Sequence, residues 1–168
     1  MSIRRLLTTL VDGSVRFVIV GMVAGNIHGS RYTTEDLDVV YEASGDNCDA
    51  ICKALLPPHP RAVDAWPLED TTDMTTELLS AERSLTVLTD EGELDLLHRI
   101  DGVGGYEEVL SASSAVLIEG RAVRVITFDA LIATKRASAR PKDLLHLPDL
   151  ELIEELRNNG ANEKMKGE

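Results

Sequence analysis

The chain has 168 residues, enough for one domain with a substantial hydrophobic core. Hydrophobic residues make up 43% and charged residues 27%, the balance of a globular protein rather than a disordered one. The 17 basic and 29 acidic side chains leave −12, which argues against a broad surface for gripping nucleic-acid phosphates but not against one small basic pocket.

No apolar run approaches the ~18 residues of a membrane span. The N-terminal MSIRRLLTTLVDG has too short an apolar stretch for a secretory signal. A cytoplasmic protein with no membrane partner is the expectation.

In chain order, Ile3 to Val11 has apolar residues at helical spacing and stops near Gly13. Phe17 to Val20 is a β-branched run ending at Gly21, the pattern of a buried strand. Met22 to Gly29 reads as a short helix, Asp36 to Tyr41 as a strand, and Asp46 to Leu56 as a helix ended by Pro57-Pro58. The polar stretch from His59 to Asp73 reads as loop with room for one short strand, and Thr75 to Ala81 as a short helix. Two hairpins follow. Leu85–Thr89 and Glu93–Leu97 flank Asp90-Glu91-Gly92, and Ala115–Ile118 and Ala122–Ile126 flank Glu119-Gly120-Arg121. Tyr106 to Leu110 reads as a helical turn between them. Phe128 to Ser138 has helical spacing, and a last helix is expected from about Lys142 to Leu156. The fold class is α+β (α/β), a mixed sheet flanked by helices. Residues 1–157 form one domain, and the polar segment 158–168 is expected to be disordered.

Cys48 and Cys52 are four apart on one helix face, where each acts as a small hydrophobe. A zinc site needs two more ligands at suitable spacing, and His59 alone does not supply them.

The informative side chains are carboxylates. Asp36 and Asp38 are two apart in a strand, so they share a face at about 7 Å between Cα atoms. Like charges held that close on a half-buried strand repel, and a divalent cation relieves them. Asp95 stands in a strand otherwise apolar at Leu94, Leu96 and Leu97, where a charge needs a partner or a task. Upstream, Gly21 joins a buried strand to a helix whose first N–H groups suit a phosphate.

The segment Val18-Ile-Val-Gly21-Met-Val-Ala24, followed by His28-Gly29-Ser30-Arg31-Tyr32-Thr33-Thr34-Glu35-Asp36-Leu37-Asp38, resembles the nucleotidyltransferase superfamily with the DNA polymerase β-like catalytic fold. Within it the chain is most similar to the minimal nucleotidyltransferases associated with toxin–antitoxin systems. The later segment Phe128 to Leu144 resembles the same group, with Lys135 on a hydrophobic helix and Arg140, Lys142 and Asp143 opening the next. These motifs span residues 18 to 144. The resemblance implies a nucleotidyltransferase-like mixed sheet in which Asp36, Asp38 and Asp95 are catalytic and hold Mg²⁺ or Mn²⁺. Gly21, Met22, Arg31, Lys135 and Arg140 would bind the nucleotide, with His28, Thr34 and Asp143 supporting them.

The implied reaction moves a nucleoside monophosphate from an NTP to a hydroxyl on a protein, a small molecule or an RNA 3′ end. The implied partners are the NTP, that acceptor and a protein partner, without an extended nucleic-acid surface. Two positions depart from the pattern. Met22 stands where the superfamily usually carries Gly or Ser, and Tyr32 where relatives often carry a second basic residue. They define the alternative, a catalytically weak or inactive binding protein of the same fold, such as an antitoxin-like partner.

Overall fold

Val18, Ile19, Val39, Val40, Leu94 and Leu96 are all completely or almost completely buried, and they mark the centre of a mixed sheet. The structure is a computed structural model that describes residues 2–63 and 71–166. Its strands are β1 (Phe17–Ile19), β2 (Asp36–Tyr41), β3 (Arg61–Val63), β4 (Thr71–Asp73), β5 (Leu85–Thr89), β6 (Gly92–Leu97), β7 (Arg99–Ile100), β8 (Gly104–Gly105), β9 (Ser113–Ile118) and β10 (Arg121–Ile126). Its helices are α1 (Ile3–Asp12), α2 (Gly21–Ile27), α3 (Gly45–Leu55), α4 (Thr76–Ser80), α5 (Tyr106–Ser111), α6 (Phe128–Ser138) and α7 (Pro141–Lys166). Eight strands form one sheet in the order β4-β3-β5-β6-β2-β1-β10-β9, and β7 and β8 form a small ribbon. Two neighbouring pairs are parallel, β1 with β10 and β2 with β6; the other neighbours are antiparallel.

Alternation sorts the side chains onto two faces. Leu37 and Val39 of β2, Leu94 and Leu96 of β6, and Leu85 and Val87 of β5 share one face by register. Leu6, Leu7 and Leu10 of α1 and Cys48, Ile51 and Leu55 of α3 belong to the same buried cluster. Tyr41 continues that face, and its hydroxyl donates to the Leu79 carbonyl of α4 at 2.8 Å. Asp36, Asp38, Glu93 and Asp95 take the opposite face.

Most elements match the expectations from spacing, with differences at the ends. The His59–Asp73 stretch contributes two short strands, β3 and β4, rather than one, and residues 64–70 of that expectation lie outside the described residues. The ribbon of β7 and β8 has no counterpart in the sequence reading, because two-residue strands carry no periodicity. Helix α7 continues past Leu156 to Lys166, into the segment read as a polar tail. Ala161, Glu163, Lys164, Met165 and Lys166 are good helix formers, which outweighs the polar Asn158-Asn159-Gly160.

One buried amide joins the layers. Asn47, in the first turn of α3, is completely buried. Its Oδ1 accepts from the Arg16 N–H at 2.7 Å, and its Nδ2 donates to the carbonyls of Arg16 at 3.0 Å and Glu42 at 2.8 Å. It therefore ties α3 to the residues just before β1 and just after β2, which also bond each other through the Glu42 N–H and the Arg16 carbonyl at 3.2 Å. Asn47→Ala takes the side-chain partner from the Arg16 N–H and the Glu42 carbonyl, while the Arg16 carbonyl keeps the Glu42 N–H at 3.2 Å, and is expected to destabilise the chain by about 2 kcal/mol. Urea denaturation measures it, and a loss below ~0.5 kcal/mol would show that water replaces the amide.

Candidate functional site

The parallel register of β2 and β6 sets Asp38 beside Asp95 and Asp36 beside Glu93. Four carboxylates thus share one patch of the sheet. Oxygens of Asp36, Glu93 and Asp95 lie within 4.8 Å of one another. Asp36 and Asp95 are each held by a neighbouring hydroxyl. The Thr34 hydroxyl donates to Asp36 Oδ1. The Thr86 hydroxyl, opposite Asp95 in the β5–β6 pair, donates to Asp95 Oδ1 at 2.6 Å.

Asp38 faces the start of α2. Gly21 has φ +60°, and a Cβ built there would lie 1.8 Å from Asp38 Oδ2. Only glycine satisfies both the left-handed backbone and that approach. Burial, reinforced by the charges of Asp36 and Asp95, pushes the Asp38 carboxyl up to about 7, while Lys142 and Lys135 pull against it. Glu93 is raised by burial and by Asp95 and Asp36.

The opposite wall is cationic and comes from α6 and α7. Lys135 is only 5% exposed although it carries a charge. Its Nζ donates to Asp143 Oδ1 at 2.6 Å. Asp143 is completely buried and also accepts from the Ser138 hydroxyl and, at 2.8 Å, from Arg140 Nε. Burial alone would raise the Asp143 carboxyl, but these three donors hold it well below the usual carboxylate range. Ala139, at φ +46°, turns the chain between the two helices so that Arg140 can reach back to Asp143.

Between the walls lies a cleft of about 130 Å³, lined by Gly21, Asp36 and Asp38 on one side and by Lys135, Arg140 and Lys142 on the other. Its floor is apolar, with Leu97, Ile100, Ile126 and Leu131. That volume is below the roughly 300–1,000 Å³ of pockets that enclose a whole drug-sized ligand. It suits the charged part of a ligand, with the remainder lying outside.

Gly21, Thr34, Asp36, Asp38, Lys135 and Arg140 therefore line the cleft, while Asp95 lies beside Asp38 in the sheet and Asp143 bonds Lys135 and Arg140 without lining it. Met22 also lines the cleft but is 4% exposed, and a Cβ on Gly25 would come within 2.8 Å of its terminal methyl. Its end packs onto its own helix. Arg31 is exposed in the connection before β2 and does not line the cleft. His28 does not line it either. Its Nε2 donates to the Ile126 carbonyl at 2.7 Å, and its ring lies 5.4 Å from that of Phe128, so it ties the end of α2 to β10 and α6.

Three residues of the site were not singled out from the sequence. Glu93 precedes Asp95 by two in a strand, the same spacing that singles out Asp36 and Asp38. Lys142 stands in the quoted motif beside Asp143. His146 lines the cleft one turn further along α7, and its Nδ1 is buried without a hydrogen-bond partner. Burial, with the field of Lys135, holds its pKa below the ordinary histidine value. Its ring packs edge-on against Tyr32 at 4.9 Å. No sequence spacing announces that contact.

The mixed sheet and its flanking helices form a nucleotidyltransferase-like fold. Two solved structures carry it over nearly the whole chain. One is ANT(2″)-Ia in complex with adenylyl-2″-tobramycin, at 16% identity and TM-score 0.55, covering 96% of each chain. The other is the solution structure of the antibiotic-resistance factor ANT(2″)-Ia, at 14% identity and TM-score 0.56, covering 98% of this chain and 94% of that one. The sequence itself matches no protein-family model and no curated protein. Among the described residues no helix is long and apolar enough to cross a membrane.

Two outcomes follow from the charges. Asp38 keeps a proton in the folded chain up to about pH 7, whereas an unfolded aspartate releases it near 4. This group's contribution to stability therefore falls as pH rises from about 4 through 7. Asp38→Asn is expected to melt higher than the parent at pH 8, with the gap narrowing at pH 5. An equal gap at both pH values would place the effect elsewhere. Asp143→Asn strands the buried Lys135 ammonium and is expected to cost about 3–5 kcal/mol in urea denaturation. A loss under 1 kcal/mol would mean that Lys135 reaches water once its partner is gone.

Proposed function

We propose that the chain is a Mg²⁺-dependent nucleotidyltransferase that moves a nucleoside monophosphate from an NTP to a hydroxyl acceptor. The observation that carries this reading is the cleft with Asp36 and Asp38 on one wall, Asp95 and Glu93 paired beside them in the sheet, and three cations on the other wall. The donor set fits a hard cation: Mg²⁺ takes oxygen ligands and is usually bound by one or two carboxylates plus substrate phosphates. Asp36, Asp38 and Asp95 would hold it, with Mn²⁺ as the substitute; Glu93 has an oxygen within 4.8 Å of oxygens of Asp36 and Asp95 and would join those two. Bound there, the ion supplies charge neutralisation for the triphosphate and for the leaving pyrophosphate.

The chain's own residues do the rest. Lys135, Arg140 and Lys142 attract and orient the phosphates, and Gly21 lets the backbone come near them. Arg31 would act only from the rim. Asp95, fixed by Thr86, accepts the proton of the acceptor hydroxyl. That oxygen then bonds to the α-phosphorus, and the bond from phosphorus to the pyrophosphate oxygen breaks. Asp143 orients Lys135 and Arg140, Thr34 orients Asp36, and His28 fixes the end of α2.

The acceptor classes are a protein side chain, a small molecule and an RNA 3′ end. The likeness to a protein solved with an adenylylated tobramycin supports the small molecule. The motif order supports a nucleotidyltransferase of the toxin–antitoxin type, and the short apolar stretch at the N-terminus favours the cytoplasm as its compartment. A second reading, a non-catalytic partner of the same fold, is favoured by Met22, which brings no hydroxyl to the cleft.

Calorimetry with Mg²⁺ and a non-hydrolysable NTP tests the leading reading. Asp36→Asn is expected to weaken metal-dependent binding at least tenfold while the melting transition persists, and unchanged binding would overturn the metal role. Met22→Ser separates the two readings. A hydroxyl donating to a phosphate is worth roughly 1.5–3 kcal/mol, about ten- to hundredfold in affinity. If binding tightens by that much, Met22 limits nucleotide use. If it stays flat, Met22 carries no weight against an enzyme.

A further inference from the structure

Thr134 of α6 and His146 of α7 both line the cleft. Among the described residues, Thr134 Oγ1 and His146 Nδ1 are buried with no hydrogen-bond partner. A buried polar atom left unpaired costs stability, and two such atoms at one cleft point to a wall that a ligand completes.

His146 is the more informative of the two. It stands one turn beyond Lys142 on α7, and Tyr32 braces its ring from the connection before β2. The two rings meet edge-on at 4.9 Å, and the Tyr32 hydroxyl donates to the Leu145 carbonyl at 3.2 Å. Tyr32 stands where the superfamily pattern has a basic residue. Here the connection supports an imidazole instead of supplying a charge of its own.

The charges around the ring decide its state. Burial and then Lys135 hold its pKa below the ordinary histidine value, and Lys142 acts in the same direction. Asp143 and Asp149 act against them. Asp143 is committed to Lys135, Ser138 and Arg140, and Asp149 accepts from the Ser30 hydroxyl at 2.6 Å. Arg140 lines the same wall, and Asp36 and Asp38 line the facing one. At neutral pH the ring of the free chain is therefore mostly uncharged. An imidazolium has two N–H groups to satisfy, and Nδ1 has no acceptor. Phosphates laid against Lys135 and Lys142 reverse the field at the ring and bring an acceptor for one N–H.

We infer that His146 is a further phosphate-binding residue of the cleft, neutral in the free chain and protonated in the complex, with the proton taken from solvent. The inference rests on the nucleotidyltransferase reading and adds to it one residue and one proton.

The test is calorimetry of the full chain with Mg²⁺ and a non-hydrolysable NTP, in two buffers of different ionisation enthalpy. His146→Gln keeps a donor that cannot become charged, and His146→Ala keeps neither. At pH 7 the parent is expected to take up about half a proton more than His146→Gln, a comparison in which the nucleotide's own ionisation and that of Asp38 cancel. The affinity of the parent relative to His146→Gln is expected to grow at least threefold from pH 8 to pH 6, because the complex holds the proton to higher pH than the free chain does. His146→Ala is expected to bind at least fivefold more weakly than the parent at pH 7, with His146→Gln in between. Thermal melts verify that both variants fold.

Equal proton uptake by the parent and His146→Gln, or an affinity ratio that does not move with pH, would overturn this inference and leave the nucleotide reading in place. Undiminished binding by His146→Ala would do the same, by putting the ring outside the path of the phosphates. A parent chain that binds no NTP at all would overturn the nucleotidyltransferase reading, and this inference with it.

Discussion

The pairing of β2 with β6 in a single register is the constraint on which the site rests. Because side chains alternate, a slip of one residue would send Asp36 and Asp38 into the layer now filled by Leu37 and Val39. The register is held by that layer: Leu37, Val39, Leu94 and Leu96 are completely buried on the opposite face. Apolar burial on one side of the sheet therefore supports electrostatic crowding on the other. Burial first, and that crowding second, raise the pKa of Asp38.

The cationic wall depends on a different device. Lys135 and Asp143 are both buried, and the ion pair between them joins α6 to the first turn of α7. A buried pair of this kind adds little net stability over an apolar substitute, but it admits few alternative packings. Arg140 is drawn into the same arrangement through Asp143 and keeps a largely exposed side chain beside the cleft. The two walls thus carry opposite charge for separate reasons, one through strand register and the other through a helix junction.

Much of this was legible in the sequence because local pattern and global fold agree. DLDVVY announced both β2 and its two-faced character, and Phe128, Leu131, Ile132 and Lys135 form the buried side of α6 as their spacing requires. What escaped lies where sequence carries no period. The position of Arg31 outside the cleft follows from the course of an irregular connection. His28 looks chemical beside glycine, but a carbonyl of β10, far away in sequence, captures it. Asn47 gives no sign in the sequence that its amide will pair with two strand ends. Glu93 was readable in principle, since it repeats the spacing already used for Asp36 and Asp38.

The contact between Gly21 and Asp38 also orders the mutational paths open to this chain. Any side chain at Gly21 would occupy the space of the Asp38 carboxylate and would need a left-handed backbone as well. Replacing Asp38 with a smaller residue removes the first obstacle and leaves the second. Loss of the carboxylate can therefore come first and open the way to loss of the glycine, while the reverse order passes through a clash. A descendant with both positions changed would most readily have lost the charge before it lost the turn.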